Sequence, residues 1–376
     1  MIKSAALGLA IAALIGASAP TPSLGAASGK KQTLGYVITL WDTAIYESRF
    51  AEECPEGLVM GNDEIWWRGL PRAEKDKFTN KGLTQPVDRK NTAMYRGPGG
   101  KDVCWNPTVV KDPPLKVIKG KTSYGFDLDG DEKGDGTAKS CKHETFSSPE
   151  GAQGDRVGVD NQMYRILGCH YGWRRNGVLD SYDDEERRNS GRGVVLLEVT
   201  GVDDPQNSAN VTVNFYRAID PFSVDAAGKI LPYGSYRIDL NGDKPRYAVP
   251  IKGKIENGVL ITEPTDFSVP FYGNNTFAEV RMRDAKLSLD LKLADGKVKG
   301  LLGGYYDFDK WWEYMMKIEF LVATGDWSCP ALYEASKRLA DGYPDKDGNC
   351  TAISSAFKVE AIPAYVIHQN QTADAR

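Results

Sequence analysis

The sequence predicts a mainly β chain of the α+β class: an antiparallel β-sandwich-like core of hairpins, with a few short helices and disulfide-stapled loop regions. Three observations carry this. The turn dipeptides Asn241-Gly242, Asn257-Gly258 and Asp295-Gly296 each separate two apolar-rich runs, and such pairs accept the positive φ that two-residue hairpin turns need. Leu287, Leu289, Leu291 and Leu293 alternate, which turns one leucine face inward. Six cysteines follow an export-like N-terminus, the usage expected of a chain that forms bridges in an oxidising compartment.

The elements follow in order. Lys3 precedes an apolar run over residues 5–19, and small residues end at Leu24-Gly25-Ala26. That run is shorter than the ~20 residues of a membrane span, so residues 1–26 read as a signal peptide and the mature chain as periplasmic or extracellular. Residues 27–120 hold a strand-like run over 34–40 and then a loop-rich stretch with Trp66, Trp67 and Trp105. Residues 121–192 form an acidic-loop and disulfide region ending in a mixed charge run at 180–188, read as solvated. Residues 193–325 are the β-rich domain, with strands expected at 193–202, 211–217 and on both sides of each turn dipeptide. A helix is expected after Asp307 or Asp309 as N-cap, with Phe308, Trp312, Met315, Met316 and Phe320 near helical period. Residues 326–376 are expected to hold a second short helix over 331–340, stopped by Gly342 and Pro344, then a disulfide loop and a polar tail.

The 376 residues carry a net charge of −4, which argues against nucleic acid or an anionic membrane as partner. No later apolar run is long enough to span a bilayer. Cys54, Cys104, Cys141, Cys169, Cys329 and Cys350 contain no C-x-x-C pair, so a cysteine zinc site or attached haem is not indicated. Sequential pairing, 54–104, 141–169 and 329–350, would staple three local segments.

The stretch 123–135, S-Y-G-F-D-L-D-G-D-E-K-G-D, is the densest chemistry in the chain. Hard oxygen ligands at this spacing suit Ca²⁺. It is not an EF-hand: Glu132 stands where that loop needs glycine, and Ala138 where it needs glutamate. It resembles the irregular aspartate-rich calcium loops of extracellular proteins. The expected ligands are Asp127, Asp129, Asp131 and Asp135, joined by Asp160 if a 141–169 bridge closes the loop. A near copy, S-Y-R-I-D-L-N-G-D, occupies 235–243. Its hairpin context needs no metal, so only Asp129 and Asp135 are distinctive in the first copy.

His143 and His170 each lie beside a cysteine, and with Glu144 and Asp160 they could form a metal or acid–base site. There is no G-x-S-x-G, and no phosphate loop. Tyr305, Tyr306, Trp311 and Trp312 are either core or a platform for a sugar or partner. The function expected is an exported, non-catalytic calcium-binding protein that binds a protein partner or glycan through its β-rich domain. The alternatives are a secreted hydrolase using His143, His170 and nearby carboxylates, or a structural envelope component.

Overall fold

The computed structural model describes residues 31–59, 70–79, 97–175, 192–273, 276–318 and 328–369. The expected leader, Trp66, Trp67, the charge run 180–188, Phe320 and the end of the tail lie outside the described residues. The strands are β1 (Gln32–Thr43), β2 (Val195–Val202), β3 (Ser208–Arg217), β4 (Gly234–Arg237), β5 (Leu240–Asn241), β6 (Lys244–Pro245), β7 (Ile251–Glu256), β8 (Val259–Thr262), β9 (Thr265–Gly273), β10 (Thr276–Ala294), β11 (Lys297–Asp307), β12 (Gly342–Pro344) and β13 (Cys350–Ile367). Helices α1 (Phe50–Glu53), α2 (Arg72–Thr79), α3 (Gln162–Leu167), α4 (Phe308–Lys317) and α5 (Cys329–Leu339) interrupt them.

Two of the expected hairpins form as the turn dipeptides require. Asn257 and Gly258 (φ +52° and +79°) join β7 to β8, and Asp295 and Gly296 (φ +54° and +77°) join β10 to β11. The third is smaller: Gly242, at φ +65°, turns the two-residue ladder of β5 and β6. Leu287 and Leu289 are buried as the alternation implies, whereas Leu293 reaches solvent beside the turn.

The sandwich is corrected by the pairing of β13. The antiparallel path runs β1-β2-β3-β7-β8-β10-β11-β13, and β13 also pairs with β1. The sheet therefore closes into an eight-stranded barrel. A sandwich keeps free strand edges; here the closing strand removes them. The inner wall is apolar, with Val199, Val213, Ile251, Leu260, Leu289 and Val359 in one buried cluster. Lys252, Lys254 and Glu256 point outward from β7, the reverse of the apolar-out pattern of a lipid-facing barrel. Among the described residues no helix is long and apolar enough to cross a membrane.

Helices α4 and α5 extend the barrel core. Asp307 caps α4 by accepting the Asp309 N–H at 3.2 Å, and Ser328 caps α5 by accepting the Ala331 N–H at 3.1 Å. Tyr306, Trp311 and Trp312 pack in this core and Tyr305 on the outer wall, all buried. They present no surface platform, so the ligand role considered for them is withdrawn: at helical and strand spacing they supply packing.

Two segments cover parts of the outer wall. Residues 218–240 lay Phe222, Tyr236 and Ile238 over Val37, Leu196, Ile362 and Ala364. Residues 121–170, here called the cap, lay Phe126 and Leu128 over Leu301, Tyr305, Ala352 and Ala356.

Three disulfides form, Cys54–Cys169, Cys104–Cys329 and Cys141–Cys350, and they correct the sequential pairing. Their partners are 115, 225 and 209 residues apart. Cys350 opens β13 on the wall that the cap covers, so it meets Cys141 of the cap although 209 residues separate them. Peptide mapping without reduction should recover these three linkages, and replacing Cys141 and Cys350 together by alanine should cost about 2–5 kcal/mol in denaturant unfolding.

Candidate functional site

The cap places its side chains through short, local devices. Asp160 pairs with Phe126 in an antiparallel bridge and donates its N–H to the Phe126 carbonyl at 2.9 Å. Its Oδ2 accepts the Leu128 N–H at 2.8 Å. Asn161 caps α3 by accepting the Tyr164 N–H at 3.1 Å, and its amide donates to Ser123 Oγ and the Tyr124 carbonyl, both at 3.0 Å. The Gln162 N–H donates to Ser354 Oγ at 2.9 Å, tying the turn to β13. Asp160 is thereby fixed against the barrel wall.

His143 faces it. His143 Nε2 lies 2.7 Å from Asp160 Oδ1, and the side chains are only 4% and 0% exposed. His143 Nδ1 lies 2.8 Å from the Cys141 carbonyl oxygen. A carbonyl only accepts, so Nδ1 carries a proton, and a second proton lies between Nε2 and Oδ1. Asp129 completes the group: the ligand atoms of Asp129, His143 and Asp160 all lie within 4.8 Å of one another. Asp129 accepts the Asp131 N–H at 2.8 Å and the Ser140 hydroxyl. It is half-buried and forms the outer edge of the group.

Asp341, absent from the sequence reading, and Tyr305, read there only as a core or platform aromatic, stand behind these three. Asp341 is 1% exposed; its Oδ1 accepts the Ser354 N–H at 2.7 Å, while its buried Oδ2 has no partner. Tyr305, fully buried, sits directly opposite Ser354 across the β11–β13 ladder, and its hydroxyl also lacks a partner. The Tyr305 ring has room because residue 342 is glycine: a Cβ there would lie 2.2 Å from the ring. An isolated Asp341-Gly342 after a helix carries no spacing signal. Only the pairing of β12 and β13 brings it here.

The electrostatics follow from burial and crowding. Desolvation alone would lower the His143 pKa. The Asp160 hydrogen bond, the Asp341 charge and the Cys141 carbonyl outweigh it and raise it to about 9. Burial raises Asp341 to about 7, with the His143 charge acting in the opposite sense. Burial pushes the Tyr305 hydroxyl far up, and the charges of Asp341, Asp160 and Asp129 add to this.

The remaining sequence-derived residues lie elsewhere or are engaged otherwise. Asp127 accepts the Gly130 N–H at 2.7 Å. Asp131 accepts the N–H groups of Lys133 and Gly136 at 3.1 and 2.9 Å. Desolvation raises the Asp131 carboxyl, but the surrounding amides outweigh it and hold it below its ordinary value. Asp135 is exposed and faces Lys142 at 3.9 Å. Asp127 and Asp131 are turn-forming side chains and Asp135 is an exposed partner of Lys142; none of the three belongs to the group. Glu144 is exposed and pairs with Lys121 at 2.7 Å. His170 accepts the Gly172 N–H at 3.1 Å beside the Cys54–Cys169 bridge. The premise that one bridge would join the two histidines fails with the pairing of Cys141 to Cys350.

No family model matches this chain, and no curated protein or solved structure matches it.

Replacing Gly342 by alanine should overpack the Tyr305 ring and cost about 1–3 kcal/mol in denaturant unfolding. The pH dependence has a definite sign. In chelator-treated protein the folded state holds the His143 proton up to about pH 9, while the unfolded chain releases it near 6.5. Its stabilisation is full below pH 6.5 and is lost as pH rises through 9, on the order of 3 kcal/mol. Asp341 adds the same sign lower down, between about 3.8 and 7. Melting temperature should therefore fall from pH 6.5 to 9, and His143→Gln should flatten that slope; an unchanged slope would remove the assignment.

Proposed function

We propose that this is an exported, non-catalytic binding protein whose barrel carries a divalent cation under its cap. The observation that carries this reading is the Asp129–His143–Asp160 group, with ligand atoms mutually within 4.8 Å. The aspartate spacing suggested calcium as the occupant, and of its four carboxylates Asp129 is the one that lies in the group. Export is supported by three disulfides, which persist in oxidising compartments. A protein or glycan partner would meet exposed aromatic rings on the barrel exterior, and Tyr233 and Tyr365 offer such a pair, 6.3 Å apart.

The hydrolase reading finds less support. A general base needs a free nitrogen within reach of substrate. Both nitrogens of His143 are engaged and its ring is buried.

The near copy at 235–243 supplies the control. Asp239 lies 3.6 Å from Arg217 and 3.1 Å from Arg246, so its charge is already paired. Adding Ca²⁺ or Zn²⁺ to chelator-treated protein should raise the melting temperature. Asp129→Ala should abolish that rise and Asp239→Ala should leave it intact. Equal losses in the two variants would refute the cap as the cation site.

A further inference from the structure

A groove adjoins the exposed tyrosine pair. The cover formed by residues 218–240 carries a small hairpin of its own. Val224 and Ile230 bridge, and Asp225 closes the turn by accepting the Ala227 and Lys229 N–H groups, both at 2.9 Å. This turn and the tip of the β10–β11 hairpin bound a groove of about 410 Å³. Lys229 and Pro232 line it from one turn, Asp295 and Lys297 from the other, and Leu40 and Ile362 from the barrel wall between them.

Tyr233, directly after Pro232, is held against its local preference. Its φ of +61° is one that a bulky side chain rarely adopts. The surrounding backbone enforces it. The Tyr233 N–H donates to the Pro363 carbonyl at 2.6 Å, the Leu231 N–H donates to the Ser223 carbonyl at 2.8 Å, and Gly234 begins the parallel pairing with β13 at Ala364. Burial is not the gain, because Tyr233 and Tyr365 are 59% and 56% exposed, with ring centroids 6.3 Å apart. Backbone strain that the structure maintains in this way clusters at sites that clamp ligands.

The lining selects the ligand class. The volume falls in the range of small-ligand sites, roughly 300–1,000 Å³. A protein partner instead buries about 800 Å² on each side, over a broad patch. Charge in the groove is balanced: Lys297 is paired with Glu360 at 2.6 Å, which leaves Lys229 against Asp295. Neither an anion nor a cation is favoured. Both turns pass through glycine at positive φ, Gly228 at +78° and Gly296 at +77°, with open space beside each. Aromatic faces, one carboxylate, one ammonium and accessible backbone suit a molecule with an apolar C–H face and a rim of neutral hydroxyls. A sugar ring has that chemistry.

We infer that Tyr233, Tyr365 and the adjoining groove bind a neutral oligosaccharide, with the rings stacking on sugar faces and Lys229 and Asp295 bonding hydroxyls. This rests on the partner reading above and goes beyond it in choosing a glycan over a protein and in adding the groove to the ring pair. It is independent of the cation. On β13 the cap covers Ala352 and Ala356, whereas Ile362 and Tyr365 belong to the groove and the ring pair.

The test is calorimetric titration of the chelator-treated full-length protein with cellohexaose, maltohexaose and chitohexaose. At least one of these neutral chains should bind. Tyr233→Gly removes the ring while relieving the positive φ, so it should stay folded by near-ultraviolet circular dichroism and weaken binding about two- to tenfold. Tyr365→Ala should do the same, and Asp295→Asn should also weaken binding. Tyr171→Ala removes an equally exposed ring, 61% exposed, two residues beyond Cys169, and should leave binding unchanged. Binding that persists undiminished in the folded double variant Tyr233→Gly/Tyr365→Ala would overturn the site while sparing the glycan reading. Preference for an anionic chain such as hexagalacturonate would overturn the neutral class. Failure of all three neutral chains to bind would overturn the inference and leave the cation reading to its own melting-temperature measurement.

Discussion

Closure of the sheet by β13 is the constraint on which the remaining structure depends. This strand pairs with β1 on one side and β11 on the other. Its odd-numbered residues Ile353, Phe357, Val359 and Ala361 fill the barrel. Its even-numbered residues face the outer wall: Ala352 and Ala356 lie under the cap, and Ile362 and Ala364 under the second cover. One strand thus completes the core and seats both covers. Ser354, in the same even-numbered row, anchors α3 through its hydroxyl and Asp341 through its N–H. The position of the polar group under the cap is a consequence of barrel closure.

That dependence explains what could be read from the sequence. The hairpins β7–β8 and β10–β11 were legible because a positive φ at Asn-Gly or Asp-Gly is a local property of those residues. β13 was not legible, because both its faces are buried. Its run C-T-A-I-S-S-A-F-K-V-E-A-I-P has no clean polar–apolar alternation, and period-two patterning is what marks a half-exposed strand. Without it the sheet could not be closed, and a sandwich was the natural reading. The disulfide pairing failed for the same reason, since spacing along the chain does not report which strand ends meet. In the site, comparison with the near copy singled out Asp129 and Asp135, and only Asp129 joins the group. Asp341 and Tyr305 come to lie behind it through the pairing of β11 and β12 with β13.

The group itself is a balance between crowding and restraint. The ligand atoms of Asp129 and Asp160 lie within 4.8 Å of each other and of the His143 ring nitrogen, and burial magnifies the repulsion between the two carboxylates. The cap stays seated because other interactions hold it. Phe126 and Leu128 bury apolar surface against β11 and β13, and Cys141 is bonded covalently to Cys350 at the start of β13. Cys141 also donates its N–H to the Asp341 carbonyl at 2.8 Å and accepts from His143 Nδ1. One residue therefore links the imidazole, the backbone of the buried aspartate and the barrel wall.

The two near copies separate the generic part of this arrangement from the specific part. In both, an apolar residue packs outward on the barrel, as Phe126 and as Ile238, and a glycine turns at positive φ, +79° at Gly130 and +65° at Gly242. Strand-and-turn geometry is thus shared, and it does not create a site. Around 235–243 the aspartate is paired with two arginines and the turn residue is the neutral, exposed Asn241. Around 123–131 the same turn position carries a carboxylate, and what opposes it is a histidine held between a carbonyl and Asp160. The chemistry arises where a common covering motif meets an imidazole that the Cys141–Cys350 bridge holds in place, so the turn supplies one donor and the barrel's closing strand positions the rest.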